Sequence, residues 1–246
     1  MATELKLVLR NPRSVLLLKT VLFLGFLALA KIGGFGWLPI LFFIAATSVL
    51  FFLPFFQTFS YFVSFGFFLI TGSVFLGKLP ESYFFLGAII FAALFYLLLG
   101  VKSLVMVDRV RAYLLFHLSV FFLVFILFFQ STGEFNTFSL LMVFAVSYLL
   151  FREFFKFQDL PGISWRQKNI FSWALAFLSL QAVWVIKILP IGFIQSASLS
   201  LVLVFILGNL AGNYLNGKLD RQTLLKDITF LVLAALLIFT TSRWGI

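Results

Sequence analysis

The runs FFLVFILFF (Phe121–Phe129) and SLLMVFAVSYLLF (Ser139–Phe151) decide the fold. Neither alternates polar and apolar residues, so neither suits a strand of a membrane barrel, whose faces meet lipid and lumen in turn. A helix satisfies its own backbone polar groups, which is the condition for crossing hydrocarbon. The same character recurs along the 246-residue chain, in which 63% of residues are apolar and 11% charged. The charges form short islands between apolar runs of about 20 residues, the length that spans a bilayer. The reading is an all-α, polytopic transmembrane bundle of about nine spans, roughly 14–31, 36–53, 56–76, 83–104, 112–130, 136–155, 170–189, 192–214 and 227–243. The longest stretch suited to water, Lys156–Lys168, is too short to fold alone. Residues 1–246 thus read as a single integral membrane domain with no soluble domain.

The formal charge of +10 is a topology signal. With the N-terminus inside, one side collects fourteen basic residues: Lys6, Arg10, Arg13, Lys19, Lys102, Arg109, Arg111, Arg152, Lys156, Arg166, Lys168, Lys218, Arg221 and Lys226. The other side holds four, Lys31, Lys78, Lys187 and Arg243. The expected location is the cell (inner) membrane, and this asymmetry predicts that the N-terminus is cytoplasmic and the C-terminus outside. It also predicts contact with anionic headgroups on the cytoplasmic side. No nucleic-acid-binding pattern accompanies the charge, so no nucleic-acid partner is expected. Trp37, Trp184 and Trp244 fall near outer span ends, and Trp165, Trp173, Tyr113 and Tyr214 near inner ones, as interfacial aromatics do. Ala28-Leu29-Ala30 after a basic start resembles a signal-peptide cleavage site. An uncleaved first span is the expectation.

A weak internal repeat relates the two halves, residues 14–107 and 135–243. Trp37 precedes Pro54 by 17 positions, and Trp173 precedes Pro190 by 17. Five of the eighteen positions 37–54 match at this offset: Trp37/Trp173, Ala46/Ala182, Val49/Val185, Leu53/Leu189 and Pro54/Pro190. Gln57 and Gln195 follow the prolines, and Gly77-Lys78-Leu79 corresponds to Gly217-Lys218-Leu219. Spans 1–4 would match spans 6–9, with the fifth as connector. An odd connector inverts the second half, an arrangement that recurs in secondary transporters.

Polar residues inside spans supply the candidate site. Gln57, Ser60, Tyr61, Ser64 and Thr71 lie within about 100° on the third span. Gln195, Ser198, Asn209 and Asn213 form a similar stripe on the eighth, and Gln181 sits near the middle of the seventh. The ligand-binding candidates are Gln57, Ser60, Thr71, Gln181, Gln195 and Asn209. Their neutral hydrogen-bonding groups suit a small uncharged or lipid-like molecule. The competing reading is hydrogen bonding between helices, worth about 0.6 kcal/mol per contact in membranes. Gly208 and Gly212 form a small-residue face for close helix packing.

Catalytic and cofactor chemistry finds little support. The chain has no Cys and a single His, His117, so no multi-His or thiolate metal centre is expected, and no cofactor. A packing role for His117 is favoured over a proton relay. The acidic residues, including Glu153 and Asp227, read as loop or helix-end groups, leaving no midplane acid for proton coupling or proteolysis. Neither a Walker nor a dinucleotide-binding motif occurs. The sequence therefore reads as a non-enzymatic carrier or binder. The alternative is an assembly subunit packing against other membrane proteins. A third reading is a lipid-headgroup enzyme at the cytoplasmic rim, using Arg109, Arg111, Glu153 and Asp159.

Overall fold

The computed structural model describes residues 12–53, 61–131, 137–158 and 162–242. Within them the chain is helical, with no strand. The helices are α1 (Pro12–Ile32), α2 (Trp37–Phe52), α3 (Phe62–Lys78), α4 (Glu81–Lys102), α5 (Arg109–Gln130), α6 (Thr137–Phe157), α7 (Trp165–Ile188), α8 (Phe193–Leu215) and α9 (Arg221–Thr241). Among the described residues, seven helices are long and apolar enough to cross a membrane. The other two, α2 with 16 residues and α3 with 17, are shorter. At 1.5 Å per residue they rise only about 24–26 Å, against a hydrocarbon core of about 30 Å. Residues 56–60 of the expected third span, with the candidates Gln57 and Ser60, lie outside the described residues.

Capping residues set helix ends that apolar runs alone do not. α7 begins at Trp165 because Ser164 and Gln167 form a capping box, which satisfies two backbone N–H groups that no helical carbonyl reaches. α9 begins at Arg221, preceded by Asp220, whose side chain accepts the Arg221 N–H at 2.6 Å. The expected start at 227 is thus six residues late. At the other end of α8, Lys218 N–H reaches Asn213 O and Gly217 N–H reaches Tyr214 O. This double closure needs a left-handed residue, and Gly217 supplies it with φ +64.

The chain divides into two compact units, Met1–Phe116 and His117–Ile246, with the division inside α5. In the first, α1 packs against α2 and α4, and α3 against α4. Its core is a run of phenylalanines: Phe23 stacks on Phe95 with centroids 4.5 Å apart, and Phe51 on Phe65 at 4.0 Å. In the second unit α7 packs against α6 and α8, and α8 against α9. The small-residue face of α8 meets α6 here. A Cβ on Gly208 would touch the Phe151 ring at 3.7 Å, and one on Gly212 would lie 3.4 Å from the Gln158 Oε1.

Large apolar residues also cover the outside. Phe85, Leu86, Ile89 and Ile90 of α4 are exposed, as are Leu233, Leu236 and Leu237 of α9. Water would disfavour such a surface, whereas hydrocarbon matches it. The protein is an integral membrane protein of the polytopic helical class.

Candidate polar site of the second unit

α9 turns few residues inward. Its buried residues are Asp227 and Ile238, and eleven positions bring them within about 20° of one face. At the Ile238 end the contact is apolar, against Ile186 and Leu199. At the Asp227 end it is polar. The Asn209 side-chain amide donates to Asp227 Oδ1 at 2.9 Å and to Oδ2 at 2.8 Å. Asn213 Nδ2 donates to Asn209 Oδ1 at 3.4 Å. One helical turn separates Asn209 from Asn213, so both amides share a face of α8 and continue the seam.

This seam lies inside two helices long and apolar enough to span. Asn209 is six residues before the end of α8, and Asp227 six after the start of α9. Each is therefore about 9 Å along the axis from the α8–α9 connection. Asp227 is 6% exposed. The expectation that every acid lies in a loop or at a helix end fails at this residue. Its physical cause is the Asp220-led start, which carries the helix through the polar segment 221–226 before Asp227. An ionised carboxylate can accept about four hydrogen bonds, and one amide group serves both oxygens here. Acidic groups at such depth are costly in lipid and are kept where they serve a site or a pairing.

The other candidates are dispersed. Thr71 is buried in α3 of the first unit and donates to its own helix at Phe67 O, 2.6 Å away. Gln195 is half-buried at the start of α8 and lies against its helix cap, where a Cβ on Gly192 would sit 2.5 Å from Gln195 Oε1. Fourteen residues of helix separate it from Asn209, about 21 Å of rise, so one small molecule cannot contact both side chains. Gln181 is exposed on α7. Ser198 and Ser200 likewise donate to carbonyls of their own helix. Such back-bonding satisfies the Thr71 and Ser198 hydroxyls, one from each polar stripe, within their own helices.

His117 is 2% exposed and packed among aromatic rings, stacked on Phe154 at 5.1 Å and edge-on to Phe121 at 5.0 Å. Among the described residues no cluster of three or more His, Cys, Asp or Glu could hold a metal. Of the rim residues in the enzyme reading, Arg111 pairs with Asp108 at 3.0 Å, and Arg109 donates to Val101 O and the Tyr61 hydroxyl. Glu153 is buried in the second unit, and Asp159 lies outside the described residues. No protein-family model matches the chain, and neither the curated proteins nor the solved structures contain a match.

Proposed function

We propose that this protein is a membrane carrier or binder of a small or lipid-like molecule, with Asp227, Asn209 and Asn213 as its polar site. The Asn209–Asp227 pair carries this reading: it holds a buried carboxylate about 9 Å along the helix from the α8–α9 connection, with acceptor capacity beyond its single amide partner. A hydroxyl or amine on an otherwise apolar molecule would complete that capacity. Among the sequence candidates Asn209 belongs to this site directly. Gln181 and Gln195, the other candidates of the second unit, stand apart from it.

The test is extraction of the purified protein, followed by mass spectrometry of co-purified small molecules. A compound present with the wild type and lost from both Asn209→Ala and Asp227→Asn supports the site. Equal recovery from all three proteins removes it.

The assembly-subunit reading draws on a different observation. α9 is the least buried of the seven long helices and presents Leu225, Leu233, Leu236 and Leu237 outward. Site-specific photocrosslinking from Leu233 distinguishes the two. Adducts to another membrane protein favour assembly, and adducts to lipid alone disfavour it.

A further inference from the structure

Two lysines of the first unit, Lys19 and Lys102, close on the same helix end. Lys19 of α1 donates to Leu50 O at 2.8 Å and also to Leu53 O. Lys102, the last residue of α4, donates to Phe51 O and lies over the Phe51 ring, 4.6 Å from its centroid. The ammonium groups therefore meet neighbouring carbonyls of the last turn of α2. A helix C-terminus carries about half a negative charge, so two full positive charges face roughly a quarter of their compensation. The carboxylate pairings of basic groups in this unit include Lys31–Glu81 and Arg111–Asp108. Among the described residues, none involves Lys19 or Lys102.

The donor inventory points the same way. Each ammonium has three N–H donors and no acceptor. Three of the six are engaged by Leu50 O, Leu53 O and Phe51 O, leaving three. Access is graded: Lys102 is 8% exposed, whereas Lys19 is half-buried and its bond to Leu53 O is at the surface. The pole is also a helix-end face, where α1 and α5 begin and α2 and α4 end. It is a place where headgroups of a surrounding bilayer lie within reach.

We propose that Lys19 and Lys102 form a binding site for a phosphate group, held on the C-terminal turn of α2. A phosphate presents several acceptor oxygens to the three open donors and brings the negative charge that the pair lacks. Lys19 receives it from the membrane face, and Lys102 stands behind. The phosphate can belong to a lipid headgroup or be free in solution. This site is in the first unit and stands independently of the carrier reading.

The test uses the full chain, purified in an uncharged detergent. Thermal unfolding is followed during titration with dihexanoyl phosphatidic acid, dihexanoyl phosphatidylcholine or inorganic phosphate. The wild type should be stabilised saturably by phosphatidic acid and far less by the zwitterionic lipid. Lys19→Met should weaken the apparent affinity roughly tenfold or more, as loss of a charge-assisted contact does, and Lys19→Arg should largely restore it. Lys102→Arg keeps the charge and serves as the second probe if Lys102→Met does not fold. A comparable response to inorganic phosphate assigns the site to free phosphate and supports the same chemistry. No saturable response to either phosphate compound, or an unchanged affinity in Lys19→Met, overturns the proposal.

Discussion

The Asn209 amide bridges both carboxylate oxygens of Asp227, at 2.9 and 2.8 Å, and so ties α8 to α9 inside the apolar part of the second unit. Removing one partner should cost more than removing both. In Asn209→Leu the buried carboxylate loses its amide, a penalty of about 1–3 kcal/mol. In Asn209→Leu/Asp227→Leu no polar group is stranded, and the helices can pack through apolar contact. SDS-unfolding titrations should therefore find the double variant more stable than Asn209→Leu alone. Strictly additive losses would show that the two side chains do not interact.

Helix existence was legible along most of this chain, because apolar runs of spanning length have one structural outcome in lipid. Helix ends were less so. Ser164 and Gln167 carry the capping pattern that starts α7, five residues before its apolar run becomes obvious. The signal was present, but the polar WRQKN segment (165–169) obscured it. The inward position of Asp227 is obscured for the same reason. Its neighbour Lys226 and the preceding Arg221 look like a rim, and only the eleven-residue register with Ile238 shows that it points inward. Leu53 and Leu189 each end a helix in extended backbone, as a following proline favours in any sequence. Gly77 and Gly217 differ, since Gly77 lies within α3 while Gly217 is the left-handed residue after α8.

The capping box makes a second prediction. Ser164→Ala removes the acceptor for Gln167 N–H, so it should destabilise the second unit by about 1 kcal/mol. Ser164→Asp should preserve the cap. Hydrogen exchange at residues 165–168 checks this directly: faster exchange is expected in Ser164→Ala, and wild-type protection in Ser164→Asp.

Two glycines on α3 should respond in opposite ways to alanine. A Cβ on Gly72 would fall 2.3 Å from Cε1 of Phe91, a buried ring stacked on Phe68. Gly66 has nothing within 4 Å of the added carbon. Gly72→Ala must displace that ring and should cost about 1–3 kcal/mol. Gly66→Ala should be neutral or stabilising by up to about 1 kcal/mol, from the helix preference of alanine. Thermal melts in one detergent compare them, and equal shifts would contradict the tight α3–α4 approach.

The fourteen-to-four distribution of basic residues predicts orientation. Because the chain has no cysteine, single cysteines are unambiguous reporters. Ser131→Cys, after α5, should react with an impermeant maleimide in intact cells. Arg166→Cys, at the start of α7, should react only after the membrane is opened. The reverse pattern would place the N-terminus outside.

Gln181 separates a lipid-facing amide from a packed one. It is exposed on α7, whereas Val183 and Ile186 of the same helix are buried. Gln181→Leu should therefore change unfolding stability by no more than about 0.5 kcal/mol, as substitutions away from packed features do. Under the carrier reading, recovery of a co-purified small molecule should also be unchanged, because the site is centred on Asn209 and Asp227. Under the assembly reading, an exposed amide is available to a neighbouring membrane protein, and the leucine variant should lose that protein on purification while melting normally. A loss of the small molecule with normal stability would instead extend the polar site to α7. A fall in stability above about 1 kcal/mol would mean that Gln181 is held in a seam, contrary to its exposed position.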